Sequence, residues 1–441
     1  MAGKVKAGSQ VWQAVEGAPA ATEVPGPSLW EWLREARPAD GPNLWETLAT
    51  RLNLYKYRPQ RIEQFEIQHF TNRHGQPYAI VRNPAQGTYL RLSERDLFIW
   101  EQLDGQHTNR DLAVAYVLKY GSFNFEGIIL LLNQLRAKGF LQEEAGLVYA
   151  AVHHWLEAQG LSYRLRRLVQ AFLMKDFSFR NVDDLLGALY RYGFRVWFTR
   201  VGAILLHLLV VAGLIAAGRL IASDQYDAFD FGPSPLWRIV SLGLLNQVAI
   251  FVHETAHGVA CKHYGRHVRR GGVLIYLGRL AFFVDTTDIW MAARRPRLVV
   301  SWAGPLAHLV LSSMAALSLT FLDIQGDTAN LLYQFTLLAG LIGLFNLNPL
   351  LELDGYYMLM DYLEVPNLRR RALAFVGRPF WTKVRQRSRL TSEEWGFTVF
   401  GALSGFYTVS VIIASVLLWQ KRIAGPLAGW LGETNARWLV G

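Results

Sequence analysis

Five apolar stretches, near residues 201–221, 236–258, 297–322, 331–351 and 396–420, constrain this chain more than any other feature. Roughly 20 helical residues cross a hydrocarbon core of about 30 Å, so each stretch is a candidate membrane span. The expected class is therefore mainly α: a polytopic α-helical membrane protein with five spans. A sixth is left open by the piece from Ile423 to Val440, which Pro426 and several glycines interrupt. A shorter apolar piece, Val273 to Trp290, is broken by Gly278, Asp285 and Asp288 and reads as a hairpin or re-entrant segment. Irregular backbone survives at such depth only where protein or a wet cavity covers it.

The connecting loops differ in charge. SDQYDAFDFGPSP and LDIQGDTAN are acidic, whereas CKHYGRHVRR, MAARRPR and LRRRALAFVGRPFWTKVRQRSR are strongly basic. Basic loops stay on the cytoplasmic side. Residues 1–28, rich in Ala, Gly and Pro, lack the apolar core of a secretion signal and read as a leader that stays in the cytoplasm. With that start, spans one to four go out, back, out and back, in agreement with the loop charges. The formal net charge of +10 is carried by Lys and Arg beside apolar runs, where anionic lipid is the natural partner, so no nucleic acid is expected. One cysteine, Cys261, excludes a disulfide framework and any multi-cysteine metal site.

Ahead of the apolar runs the chain is organised differently. Residues 1–54 read as the leader and short Trp-bearing helices, and 55–146 as a small αβ module. Within it, Tyr78–Val81 and Thr88–Leu92 flank the turn PAQG and predict a hairpin. Ser93 with Asp96, and Thr108 with Asp111, predict capped helix starts, and a third helix is expected from Phe125 to Lys138, stopping at Gly139. Hairpin plus three helices is a winged-helix arrangement. The pattern TYLRLSERDLFIWEQLDGQHTNRDLAVAYVLKYG followed by LLNQLRAKGFL, with Trp100, Leu103, Asp104, Gly105 and Thr108, resembles PqqD-like peptide-binding domains. The resemblance covers under a quarter of the chain and implies a peptide partner, held as an added strand at the hairpin edge. Residues 147–200, with Arg164, Arg166, Arg167, Arg191, Arg195 and Arg200, are expected to be amphipathic helices on the lipid surface.

The chemistry concentrates at the end of the second run, in His253-Glu254-Thr255-Ala256-His257. Positions i and i+4 share a helix face, so both imidazoles can reach one zinc ion, with Glu254 beside them to handle a water proton. Ionisable residues in a span are costly and by default functional. A catalytic zinc site has three protein ligands and one open position. The third ligand could come from Cys261, His263, His267, Glu352 or Asp354. Asp354 is favoured, because it follows the fourth run, which ends on the same side as the second.

FNLNPLLELDGYYML resembles the NxxPxxxLDG motif of site-2 proteases, the intramembrane zinc metalloproteases, with Asn346, Pro349, Leu353, Asp354 and Gly355 at all its defined positions. With HETAH and the intervening SWAGPLAH, the resemblance covers residues 236–360. The order of PqqD-like module, VDTTDIW and LDGYYMLMDYLEVPNLRRRA is similar to the peptide zinc metalloprotease branch found with peptide-maturation or export systems. It implies a core at 201–360, a basic loop with a last span and tail at 361–441, and a place in the bacterial cytoplasmic membrane. It implies one Zn²⁺ per chain, held by His253, His257 and Asp354. Glu254 is then the catalytic base, and Asn346, Asn348 and Pro349 contact the substrate or the oxyanion and shape the loop. One departure is visible: where site-2 proteases commonly carry Asn after the AGP element, this chain has His308.

Asp285 and Asp288 are candidates for a substrate clamp or water path, against plain turn formation. His207 and His308 read as neutral residues bonded between helices. The partners implied are a peptide or membrane-protein substrate, the lipid bilayer, and peptide-export or maturation proteins. Two other functions stay open: a non-catalytic zinc-binding scaffold in peptide export, and cleavage of a membrane-bound signalling protein.

Overall fold

The computed structural model describes residues 57–73, 75–142, 174–179, 181–276 and 279–420. The expected leader and Trp-bearing helices, the basic residues Arg164, Arg166 and Arg167, Gly278 and the piece from Ile423 to Val440 lie outside them.

Two compact units divide the chain, and the division runs through the expected 55–146 module. Among the described residues one unit comprises 57–60 and 102–130, the other 61–101 and the residues from 131 onward. In the first, helix α2 (Asn109–Tyr120) opens on the predicted capping box, Thr108 and Asp111 each bonding the other's backbone N–H. It ends at Gly121, whose φ of 66° suits the left-handed position that stops a helix.

In the second unit three antiparallel strands form a sheet in the order β1 (Glu66–Thr71), β2 (Pro77–Asn83) and β3 (Thr88–Ser93). The β2–β3 hairpin matches the expectation around PAQG, and the edge strand β1 adds to it. Helix α1 (Glu94–Glu101) follows directly, Ser93 and Asp96 bonding at its start. Trp100 of α1 packs edge-on against Phe65 and Phe140. Helix α3 (Phe125–Ala137) crosses from one unit to the other and buries Leu131, Leu132 and Leu135.

Residues 147–200 were expected to be helical throughout, and the described part is not. Met174–Ser178 is a strand, β4, paired with β5 (Gly271–Tyr276), which pairs in turn with β6 (Arg279–Val284). The backbone of 174–178 finds its partners almost a hundred residues away, a preference that local composition does not reveal. Helix α4 (Val182–Leu189) follows, and Arg191 and Arg195 sit exposed in the irregular turns after it. The β5–β6 hairpin realises the hairpin reading of Val273 to Trp290.

Five helices are long and apolar enough to cross a membrane: α5 (Arg200–Ala222), α6 (Pro235–His263), α7 (Arg294–Phe321), α8 (Gly326–Asn346) and α12 (Ser392–Trp419). This is consistent with a multi-pass membrane protein. Their starts have local causes. Thr199 caps α5 through the Gly202 N–H, Pro235 occupies the first position of α6, and Thr391 with Glu394 forms a capping box for α12. Large apolar side chains such as Leu205, Leu208, Ile215, Ile412 and Val416 face outward. The most buried of the five is α7, which packs small residues (Ser312, Ser313, Ala315, Ala316) against its neighbours. Such residues let helix backbones approach closely. Helix α8 starts and ends five residues earlier than expected, and its end fits Pro349, which disfavours helical backbone at the residue before it.

Between α8 and α12 lie three short helices: α9 (Asp354–Leu363), α10 (Leu368–Gly377) and α11 (Pro379–Arg385). Arg369 of α10 donates to Ser404 and Thr408 of α12, and Ser404 in turn donates to the Leu350 carbonyl. These bonds tie the 347–353 loop to α12.

Candidate metal centre

Glycine-tight packing brings three parts of the chain to one point. His253 and His257 lie on one face of α6, and Asp354 opens α9. Asp354 is set by a loop that folds on itself: a Cβ on Gly355 would stand 2.1 Å from the Leu347 carbonyl oxygen, so only glycine allows that approach. The ligand atoms of His253, His257 and Asp354 form a compact triangle. The two Nε2 atoms are 3.1 Å apart, and they lie 3.1 and 3.3 Å from Asp354 Oδ2 and Oδ1 respectively. Zinc bonds of about 2.0–2.1 Å in tetrahedral geometry place neighbouring donors about 3.3 Å apart. Each imidazole nitrogen thus stands about one such edge from the other and from one of the two Asp354 oxygens.

The protonation pattern fits as well. His257 Nδ1 lies 2.6 Å from the Val300 carbonyl oxygen, which can only accept, so Nδ1 carries the proton and a neutral ring leaves Nε2 with a lone pair. His253 Nδ1 is 2.9 Å from His308 Nδ1 on α7. The Asp354 carboxylate is mostly buried and faces the Nε2 atoms of both rings. Donors that converge this way could hold a metal ion.

Gly304 of α7 supplies the room. A Cβ there would stand 2.3 Å from His257 Nε2 and 2.5 Å from His253 Nε2, inside the space a metal would fill. Pro305 follows it and cannot donate to the Ser301 carbonyl, which loosens the helix at that turn.

Glu254 lies within electrostatic reach of all three candidate ligands. Its Oε2 accepts the Val284 N–H of β6 at 3.1 Å. The Asp285 N–H bonds the Arg270 carbonyl on the β5 side, so Val284, its neighbour, points its N–H away from β5 toward α6. Two residues of the same parity complete the seam: Phe282 packs edge-on against Phe251, and the Leu280 carbonyl accepts from Gln247. Strand β6 thus lies along α6 with Glu254 and Gln247 at its outer edge.

The other candidates are engaged elsewhere. Cys261 is fully buried in an apolar cluster with Leu186, Val259 and Val300. His263 bonds Tyr190 and stacks on Phe198, His267 meets Asp183, and Glu352 pairs with Arg369. His207 is bonded not between helices but to Ala203 of its own helix, stacking on Trp302 of α7. Asn348 accepts the Leu350 N–H in the 347–353 loop, Pro349 sits in that loop, and Asn346 is the last residue of α8. Asp285 closes a local turn through both groups of Thr287. Asp288 is fully buried, and its carboxylate takes the Tyr89 hydroxyl, the His267 N–H, Arg266 and Arg82. Burial opposes its charge, but these donors hold it below the usual carboxylate range. It is a joint between sheet and core, with its carboxylate oxygens already occupied.

Two contributors had no clear sequence signal. Gly304 and His308 are four residues apart in SWAGPLAH, a spacing that puts both on the face of α7 that meets the histidines, but composition alone does not distinguish that face.

No protein-family model matches the chain, and no solved structure matches it. An uncharacterised protein of Methanocaldococcus jannaschii is 38% identical over 97 residues, which cover 21% of this chain and 26% of that protein. The match thus spans about a quarter of that relative's length.

Proposed function

We propose that this chain is an intramembrane zinc metalloendopeptidase of the site-2 type, cutting a peptide or membrane-anchored protein near the cytoplasmic face of a bacterial membrane. The observation that carries the reading is the triangle of His253, His257 and Asp354 donors with a carboxylate, Glu254, beside it. A site that only stabilised the fold would need ligands and no neighbouring base.

His253, His257 and Asp354 would hold the zinc, which when bound supplies a Lewis acid for the scissile carbonyl and a lowered pKa for the attacking water. Glu254 takes the proton from that water and returns it to the leaving nitrogen. Asn346, at the mouth of the 347–353 loop, offers an uncharged amide to the substrate backbone or the developing oxyanion.

Basic loops at 261–270, 292–297 and 369–389 favour a cytoplasmic position for the ends of α6 and α8 that carry the site. The PqqD-like resemblance of the N-terminal part supports a peptide substrate, in maturation or export.

The test compares cells producing the wild-type chain or Glu254→Gln, with new N-termini in the membrane fraction identified by amine labelling. Fragments that depend on Glu254, with zinc retained by both proteins, support the proposal. Identical fragment sets would refute the assignment of Glu254 as the base.

A further inference from the structure

The β1–β3 sheet is joined to the core at two buried carboxylates, and each stands next to one group of the proposed active site. Asp288 binds Tyr89 and Arg82 of the sheet. Four residues before it, Val284 holds Glu254. The second carboxylate is Glu364, whose side chain is 7% exposed. It takes the Arg73 N–H at 2.7 Å and the Tyr78 hydroxyl at 3.4 Å, and its carbonyl takes Arg91 at 2.9 Å. Arg91 is itself stacked on Tyr78, 3.8 Å from the ring centre. All three come from the sheet or its β1–β2 turn. Glu364 immediately follows α9, the helix that Asp354 begins.

Glu364 is an unfavourable residue for its position on two counts. Its φ of 59° is left-handed, which a side chain with a Cβ enters only at a cost, and its carboxylate sits at the negative end of the helix dipole. Glycine would satisfy the backbone without either penalty. What glycine would lose is the carboxylate's share of the sheet's hold on the end of α9, the bonds from the Arg73 N–H and the Tyr78 hydroxyl, while Arg91 would still reach the backbone carbonyl. Helix α9 is short, about 15 Å, so a shift of its C-terminal end, where Asp361 also pairs with Arg297 of α7, is carried to Asp354 at its start.

We propose that the β1–β3 sheet positions the catalytic groups, Glu364 being the residue through which it holds Asp354 and Asp288 the one through which it holds the Val284 anchor of Glu254. The inference rests on reading His253, His257 and Asp354 as a metal site.

The test uses the full-length chain purified in detergent, with Glu364→Gly, Glu364→Gln and Tyr89→Phe. Zinc affinity is measured by competition with a chromophoric chelator, and amide exchange is read at residues 347–357 and 280–288. Glu364→Gly relieves the backbone strain, so its thermal midpoint should not fall. Its zinc affinity should nonetheless drop about tenfold or more, the usual effect of losing a group that orients a ligand. Exchange at 347–357 should quicken, while Glu364→Gln, which keeps an acceptor oxygen, should stay near wild type. Tyr89→Phe should quicken exchange at 280–288 and leave zinc affinity unchanged, since Glu254 is not a ligand. Wild-type affinity and wild-type exchange at 347–357 in Glu364→Gly would overturn the proposal. If the wild-type chain took up no zinc, the metal reading would fall, and the exchange measurements would still decide whether the sheet positions α9.

Discussion

Replacing Gly304 by alanine probes the candidate site from the side that carries no ligand. The added methyl would stand 2.3 and 2.5 Å from the two Nε2 atoms, where ordinary contact begins at 3.4 Å. The imidazoles must then withdraw by roughly 1 Å, several times the ±0.2 Å that a metal–ligand bond tolerates. Helix α7 itself should not suffer, because alanine favours helix over glycine by about 1 kcal/mol. A zinc site worth about 10–16 kcal/mol in total draws about 3–5 kcal/mol from each of three ligands, so displacing even one of the two rings weakens binding at least about a hundredfold. The assay is chelator competition on the purified chain, with circular dichroism and size-exclusion chromatography as controls for folding. A folded Gly304→Ala protein that binds zinc as tightly as wild type would show that the two rings do not converge where Gly304 stands.

Three further outcomes are expected. His308→Leu removes the ring that faces His253 Nδ1 and should weaken zinc binding about 10- to 100-fold, with His308→Asn recovering part of the loss; equal affinity in all three proteins, measured by the same competition, would exclude an orienting role. Gly355→Ala should collide with the Leu347 carbonyl and lower both the thermal midpoint and the zinc content, and a protein with unchanged values would contradict the tight 347–355 turn. Burial raises the Asp361 carboxyl to about 6, against the opposing pull of Arg297. A carboxyl raised on folding contributes stability that is full below its unfolded pKa, about 4, and is lost as pH climbs through 6. The unfolding free energy of the wild type, from denaturant titration, should therefore fall between about pH 4 and pH 6 by about 2 kcal/mol, a loss that Asp361→Asn lacks; parallel profiles would count against it.

The parts of this molecule that were legible in its sequence are those with a local cause. Apolar length marked the five long helices, the Thr108 and Asp111 pair marked the start of α2, and the i, i+4 spacing in HETAH put two histidines on one face. Asp354 was legible because the run before it ends on the same side as α6. What escaped depends on distant partners. Met174–Ser178 reads as part of an amphipathic stretch until β5 supplies its hydrogen bonds. Strand β1, EIQHFT, is a mostly polar edge strand with little apolar alternation to announce it. Asp288 looked like a turn residue or a clamp, and only the fold shows Tyr89, 199 positions away in sequence, donating to it. His308 was legible as a bonded histidine in a helix but not as the neighbour of His253, because nothing in SWAGPLAH indicates which face meets α6.

The most direct test of the account is the zinc content of the purified full-length chain, measured by plasma mass spectrometry beside His257→Ala and Asp354→Ala. One zinc ion per chain is expected in the wild type and its loss in either variant, with the fold retained. Zinc bound equally by Asp354→Ala, or absent from the wild type after growth and purification in zinc, would contradict it.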